Sequence, residues 1–341
     1  MALPLTVDRA RKFLETALPR LSANQKAMLR DIREGSCDMQ LGHLREALGS
    51  AVFDAIGLDA SNNALEEGYG EVRQDWREFC RIRSASNFKT LNVSALGGFA
   101  NPPVVLENAP YTEAAMVDQK VSYAVAKYGF IERLSMEALA NDEMGAFQRR
   151  VRDAGNAFGN LLNETIIGTL IDGSTTFDVD TTAVFHANHS NLNTSSTLSM
   201  AEVSDAIATL MNQLGRNSEK IYLEPRGLLV SPANFLPATE ITSSQQKAGG
   251  GTTVPLDNAV ARMGLKVVAS PHVDSVATTW YLFSNRPLIE IAFLNGKQVP
   301  EVFMEPENSG GQFYNDSIGW KFRLPFGAEV IDYRPMVKCT A

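Results

Sequence analysis

The sequence predicts an α+β chain organised around one long helix lying across a sheet, with a separate α/β segment inserted after it. Three observations predict it. Between Asp142 and Ile171, the residues Phe147, Val151, Ala154, Phe158, Leu161 and Thr165 recur at alternating spacings of four and three, which places them on one stripe of an α-helix. The sequence on either side of that stretch reads as β, so the helix belongs to no bundle. From residue 200 to 315 helical and strand patterns interleave, the signature of a compact α/β domain.

The helix is bounded by chemistry as well as by period. Gln148, Arg149, Arg152, Asp153, Asn156, Asn160 and Asn163 fall between the apolar positions and make the other faces polar. Asn141 is placed to cap the N-terminus, and Asp142 and Glu143 complement the positive end of the helix dipole. Asp172-Gly173 supplies the stop. At 1.5 Å per residue this spine spans roughly 45 Å.

With 341 residues the chain has room for two or three domains and a real core. Its net charge of −8 argues against a protein devoted to gripping nucleic acid, and the acidity lies beyond the first ninety residues. Cys37, Cys80 and Cys339 are scattered thiols without CxxC spacing, which fits a reducing compartment. Met1 to Lys12 soon turns charged, so no signal peptide is expected, and no apolar run approaches membrane-spanning length. The expectation is a protein made in a cytoplasm, with no membrane partner and no cofactor.

Residues 1 to about 75 read as short helices. Val7, Ala10, Leu14 and Ala17 form one narrow stripe closed by Pro19; Leu41, Leu44, Leu48, Val52 and Ile56 form another. Such a segment cannot hold its own core and should drape over another surface. Gly68-Tyr69-Gly70 marks a joint, after which Trp76, Phe79 and Ile82 resume at helical spacing. From Phe88 to Val93 the pattern is strand-like, and Gly97-Gly98 with Asn101-Pro102-Pro103 interrupts it. Val104 to Met116 then leads into Val121 to Arg133, a β-branched and aromatic run. Two arms around a Gly/Pro-rich tip describe a projecting flap, where Phe99, Val104, Val105 and Leu106 lack apolar cover within one chain.

Beyond the spine, Ser199-Met200-Ala201-Glu202 is a capping box opening a helix with Val203, Ile207, Leu210 and Leu214 on its stripe, ended by Gly215. Gly227 to Val230 is a short buried strand, and Ser231-Pro232 starts another helix. Gln245 to Thr253, which contains Lys247, is a flexible loop by composition. Strands follow at Leu265 to Ala269, Trp280 to Phe283 and Ile289 to Leu294, and Asn295-Gly296 signals a hairpin into Val299 to Met304. Trp320 to Phe326 alternates with basic residues and Val330 to Val337 continues it, a terminal strand pair whose expected partner is the Val121 to Arg133 sheet.

No stretch assembles an active site. His186 and His189 in His-Ala-Asn-His are the most tempting pair, a possible start of a metal-dependent enzyme, but a zinc site wants a third ligand and a regular frame. A hydrogen-bonded loop is the expected reading. Asn308-Ser309-Gly310-Gly311 faintly echoes a protease nucleophile loop in a chain with no place for that fold. Gly249 to Thr253 lacks the Lys of a phosphate loop. Arg149, Arg150 and Arg152 cluster on the spine, either as a solvated face or as an intersubunit salt-bridge surface.

Several stretches in this order resemble a known family. They are Phe88-Lys89-Thr90 with the return into Tyr123-Ala124-Val125; Glu137 to Asp142 leading into Gly145-Ala146-Phe147; and Phe185-His186-Ala187-Asn188-His189-Ser190-Asn191-Leu192. Leu229-Val230-Ser231-Pro232, Trp280-Tyr281-Leu282-Phe283, Phe326-Gly327-Ala328 and Ile331-Asp332 complete the set. From about residue 76 onward the chain resembles a tailed-phage major capsid protein of the Hong Kong 97-like fold, most like the Mu-type prophage head subunits.

That resemblance implies an N-terminal helical arm (1–86), an extended loop with its flanks (87–127), a peripheral domain on the spine helix (128–199 and 316–341) and an axial domain (200–315). It implies a non-enzymatic subunit that assembles with copies of itself, as hexamers and pentamers, into an icosahedral virion shell around double-stranded DNA held without sequence specificity. Portal and scaffold, protease or cement proteins are the further partners implied. The expected assembly interface takes in Phe99, Val104, Val105, Leu106, Arg149, Arg150, Arg152 and Lys247. About 75 residues precede the matching region, too few for the protease domain some relatives carry there. Lys89 lies near the flap base, but the other participants of the Lys–Asn bond that welds some relatives are not matched. An encapsulin-type compartment or gene-transfer particle is the alternative on the same fold.

Overall fold

A computed structural model describes residues 50–96, 102, 104–111, 113, 118–135, 144–215, 218–244, 246–247, 256–273, 278–305 and 317–341. In chain order they form α1 (Ser50–Glu71), β1 (Cys80–Ala85), β2 (Leu91–Leu96), β3 (Asp118–Tyr123), β4 (Ala126–Ser135) and α2 (Met144–Asn163). Then come β5 (Leu192–Thr194), α3 (Met200–Met211), β6 (Pro225–Val230), α4 (Phe235–Ser243), β7 (Gln246–Lys247) and β8 (Leu256–Asp257). The chain finishes with β9 (Lys266–Ala269), β10 (Thr279–Ser284), β11 (Ile289–Leu294), β12 (Glu301–Met304), β13 (Ser317–Val330) and β14 (Met336–Thr340). The stripes expected before residue 50, and the expected cap at Asn141, lie outside the described residues, as does Phe99.

Two compact units divide the chain. One takes it up to Val72, with Tyr128–Phe158 and Val299–Leu324; the other takes Arg73–Lys127, Gly159–Gln298 and Pro325–Ala341. In the first unit α1 crosses α2 at glycines. A Cβ on Gly155 would strike backbone atoms of Leu65 and Tyr69, and one on Gly68 the backbone of Arg152, so only residues without a side chain allow this approach. Gly68-Tyr69-Gly70 is therefore no joint but the last turns of a helix. Phe158 of α2 stacks on Phe130 of β4 with ring centroids 5.7 Å apart, and Phe130 meets Phe322 of β13 at 5.3 Å. β12 pairs antiparallel with β13, from Glu301↔Arg323 to Met304↔Trp320.

The spine follows the expected stripe through Val151, Ala154 and Phe158, all buried. From Glu164 to Asp172 the winding changes to π, and Gly173 closes the run. The i→i+5 winding of a π-helix moves the inward face along by a residue. Leu162, Ile166, Ile167, Leu170 and Ile171 are buried there, whereas the expected Leu161 and Thr165 are half-buried. Asn163, read as polar-face, is buried as well.

In the second unit, β1 pairs parallel with β11 from Cys80↔Ile289 to Ala85↔Leu294, and β11 pairs antiparallel with the Phe326–Val330 end of β13. Pro325, which has no N–H to donate, falls between the β12-paired and β11-paired stretches of that long strand. Trp76, Phe79 and Ile82 do not continue as a helix. A 3-10 turn at Asp75–Glu78 gives way to β1 because the Phe79 carbonyl accepts from the Leu288 and Ile289 amides (3.0 and 3.2 Å) and draws the chain into the sheet. Trp76 and Phe79 stay buried, against Phe293 and Phe283.

The other five-stranded sheet has the order β5-β14-β10-β6-β9. β10 is buried along its whole length. Trp280 and Leu282 face α3 and α4 in a core with Val203, Leu210, Leu228, Val337 and Cys339. Tyr281 and Phe283, on the opposite face by alternation, meet Phe185 and Phe79. Ser199 caps α3 by accepting from the Glu202 amide at 3.3 Å, as its capping box predicts. Asn295 and Gly296 form the expected tight turn with φ of 53° and 71°, but no β11–β12 hairpin results: β1 and β13 already flank β11. β13 pairs with β4 as expected, while β14 departs for the β10 sheet, which thus takes two of its five strands from outside 200–315.

Candidate assembly elements

The flap is a real hairpin. β2 and β3 pair antiparallel from Leu91↔Tyr123 to Leu96↔Asp118, with Val93 opposite Val121 and both buried. Its base joins a cluster with Ala85, Tyr123, Val125, Ala292 and Ile331. Glu290 of β11, fully buried, lies beside that base. It accepts from Tyr123 OH (2.8 Å), Arg83 Nη1 (3.2 Å), Arg81 Nε (2.9 Å) and Arg81 Nη2. Burial alone would raise the Glu290 carboxyl, but the hydrogen bonds from Arg81, Tyr123 and Arg83 hold it below the usual carboxylate range. Burial, with Glu290 beside it, pushes the Tyr123 phenol up. The Ser122 amide of β3 donates to Asp178 at 3.2 Å.

Beyond the paired strands the apolar residues lose their cover. Val104, Leu106 and Tyr111 are 91%, 75% and 86% exposed, and Val105 is half-buried. A turn at this point is closed by the Ala109 amide donating to the Leu106 carbonyl at 3.0 Å. Apolar groups this exposed are candidates for contact with another surface.

The arginines of the spine divide. Arg152 pairs with Glu67 and, at 3.4 Å, with Glu71, both of α1. Arg150 pairs with Glu132 of β4 at 2.8 Å. Arg149 is exposed. Lys247 lies in β7, which pairs with β8 in a two-stranded ladder.

The histidines belong to a hydrogen-bonded loop. His189 is buried with both ring nitrogens facing acceptors, the Val184 carbonyl (3.0 Å) and Asp180 (2.7 Å), and its ring stacks on Tyr333 at 3.9 Å. His186 Nδ1 accepts from the Asn188 amide at 3.1 Å. Partial burial would raise Asp180, and the hydrogen bonds from His189 and the Thr182 amide outweigh it, holding that carboxyl low. Among the described residues no group of three His, Cys, Asp or Glu is arranged to hold a metal. Burial pushes the Cys339 thiol up to about 12.

Glu290 and its donors, and Asn163, escaped the sequence reading. A lone carboxylate inside the apolar run Ile289 to Leu294 was the available signal, because a charge in a strand buried on both faces demands partners.

A family profile described as phage capsid protein matches residues 118–339. No curated protein matches the chain by sequence. Among solved structures the chain is similar to one of Microbacterium phage Oxtober96, at 10% identity over 78% of this chain and 90% of that one, with a TM-score of 0.55. It is similar to the capsid structure of the Cyanophage P-SCSP1u (11%, 79% and 88%, TM-score 0.54) and to Gordonia phage Cozz (10%, 79% and 86%, TM-score 0.51). At such identities the likeness shows the fold, which is Hong Kong 97-like. Neither the compartment nor the metal-enzyme alternative is favoured. Among the described residues no helix is long and apolar enough to cross a membrane. The chain belongs to the phage capsid protein family, as a major capsid protein of the virion.

Proposed function

We propose that this subunit assembles with copies of itself as hexamers and pentamers into an icosahedral shell around double-stranded DNA, and that the β2–β3 hairpin is the clasp between neighbours. The carrying observation is a hairpin anchored at its base whose outer apolar residues, Val104, Leu106 and Tyr111, stand exposed among the described residues. Phe99, Val105 and Lys247 join that interface. Arg149 joins from the exposed side of the spine, with Arg150 and Arg152 exchanging their internal partners for those of a neighbour. Residues 1–86 act as an arm, 87–127 as the extended loop, 128–199 with 316–341 as the peripheral domain and 200–315 as the axial domain, its sheet completed by β5 and β14. The subunit is made in the bacterial host cytoplasm, has no enzymatic activity, and works with portal, scaffold, protease or cement proteins. Kinship with Mu-type head subunits rests on the stretches named above.

Analytical ultracentrifugation of the purified protein, with electron microscopy of the fast fraction, tests this. Capsomers or megadalton particles are expected. A chain that stays monomeric at native salt, and is unassembled in cells that express it, is no shell subunit.

A further inference from the structure

A carboxylate with no exposed surface is an expensive way to fill a sheet. A buried ion cluster roughly breaks even with an apolar core only when every lone pair is used. At Glu290, Tyr123, Arg83 and the Nε and Nη2 of Arg81 use them. The apolar contacts of the same base, Val93, Val125, Ala292 and Ile331, are non-directional and would tolerate a tilt or slide of the hairpin. The O–H···O bond from Tyr123 does not. The cluster also reaches the second arm, because Arg83 Nη1 donates to the Asn92 carbonyl of β2 at 3.5 Å. From Tyr123 to Asp118 the arm is about 17 Å long, so a tilt of about 10° at the base moves its far end by about 3 Å. A displacement of that size takes a side chain out of van der Waals contact.

We propose that Glu290, with Tyr123, Arg81 and Arg83, is a positioning latch: it sets the angle of the hairpin on its subunit and so decides whether neighbouring subunits dock in register. This rests on the reading of the hairpin as an intersubunit clasp.

The test compares three full-length proteins, wild type, Tyr123→Phe and Arg83→Gln, with a chain in which residues 97–117 are replaced by a short Gly-Ser turn. Tyr123→Phe removes one oxygen and keeps the ring in its cluster, and Arg83 is partly exposed, so that variant stays folded even if the first does not. Hydrogen exchange should speed up at the β2 and β3 amides by about ten-fold, the factor carried by one hydrogen bond to a charged group. The β6 and β10 amides should exchange as in wild type. Particle yield should fall by about ten-fold or more in both single variants. The latch is overturned if both variants assemble at wild-type yield while the shortened chain does not, or if assembly fails with β2 and β3 exchange unchanged. A shortened chain that assembles normally overturns the clasp reading, and the latch with it.

Discussion

Asn163 accepts a hydrogen bond from the Trp76 amide at 3.4 Å and donates one to the Arg73 carbonyl at 2.9 Å. Asn163→Leu keeps the branched outline with some added bulk and leaves the Trp76 amide without its acceptor, so a loss of about 1–3 kcal/mol is expected in urea unfolding. Asn156→Ala, at a half-exposed position, should stay within about 0.5 kcal/mol of wild type. Equal losses would show that Asn163 does not carry those bonds. Glu290 makes a pH prediction. Its folded carboxyl lies below the ordinary value of 4.5, so its contribution is complete above that pH. It is lost as pH falls below it, through the lower folded value. Glu290→Gln should therefore flatten the acid limb of stability against pH; an unchanged limb would place the acid sensitivity elsewhere. His186 and His189, held in loop hydrogen bonds, should bring no stoichiometric metal with the purified protein, which elemental analysis checks directly.

The crossing of α1 on α2 depends on what its glycines do not carry. Alanine would raise helix propensity by about 1 kcal/mol at any of them. At Gly155 the new methyl meets backbone that cannot swing aside, and overpacking of about 1–3 kcal/mol outweighs the gain. At Gly70 nothing lies within 4 Å, so Gly70→Ala should stabilise by up to about 1 kcal/mol. Thermal melts in which the two substitutions shift Tm in the same direction would contradict this crossing. Further along α2, Phe158→Ala removes a buried ring stacked on Phe130 and should cost about 3–5 kcal/mol, with lower soluble yield.

For the molecule as a whole, the outer part of the hairpin is where free and assembled subunits should differ. Tyr111, Leu106 and Val104 are accessible in one subunit. Hydroxyl-radical footprinting should label Tyr111 and Leu106 strongly in capsomers and weakly in particles, with the β10 core unlabelled in both. Equal labelling in both states would mean that this surface meets no neighbour. The spine arginines give a second contrast, since Arg152 and Arg150 are engaged within their own chain and Arg149 is not engaged in any ion pair among the described residues. Arg149→Ala should thus lower particle yield with little change in subunit melting.

What residues within a few positions of one another decide was legible in the sequence. The Ser199 cap, the Asn295-Gly296 turn, the β10 and β11 strands and the Val151 to Phe158 part of the spine stripe rest on local torsions and period, and each stands where it was expected. The histidine loop was legible in the same way, through its short polar run. Which strand pairs with which was decided by the tertiary structure. β12 turns away from β11 because β1 and β13 hold both its edges, and β14 leaves β13 to complete the β10 sheet. The π winding after Asn163 and the glycine contact of α1 with α2 likewise depend on surfaces brought from far along the chain. So does the latch, since Tyr123, Arg81, Arg83 and Glu290 come from three strands. A period records which face of an element is apolar; it does not record what will cover that face, because burial is a property of the partner as much as of the residue.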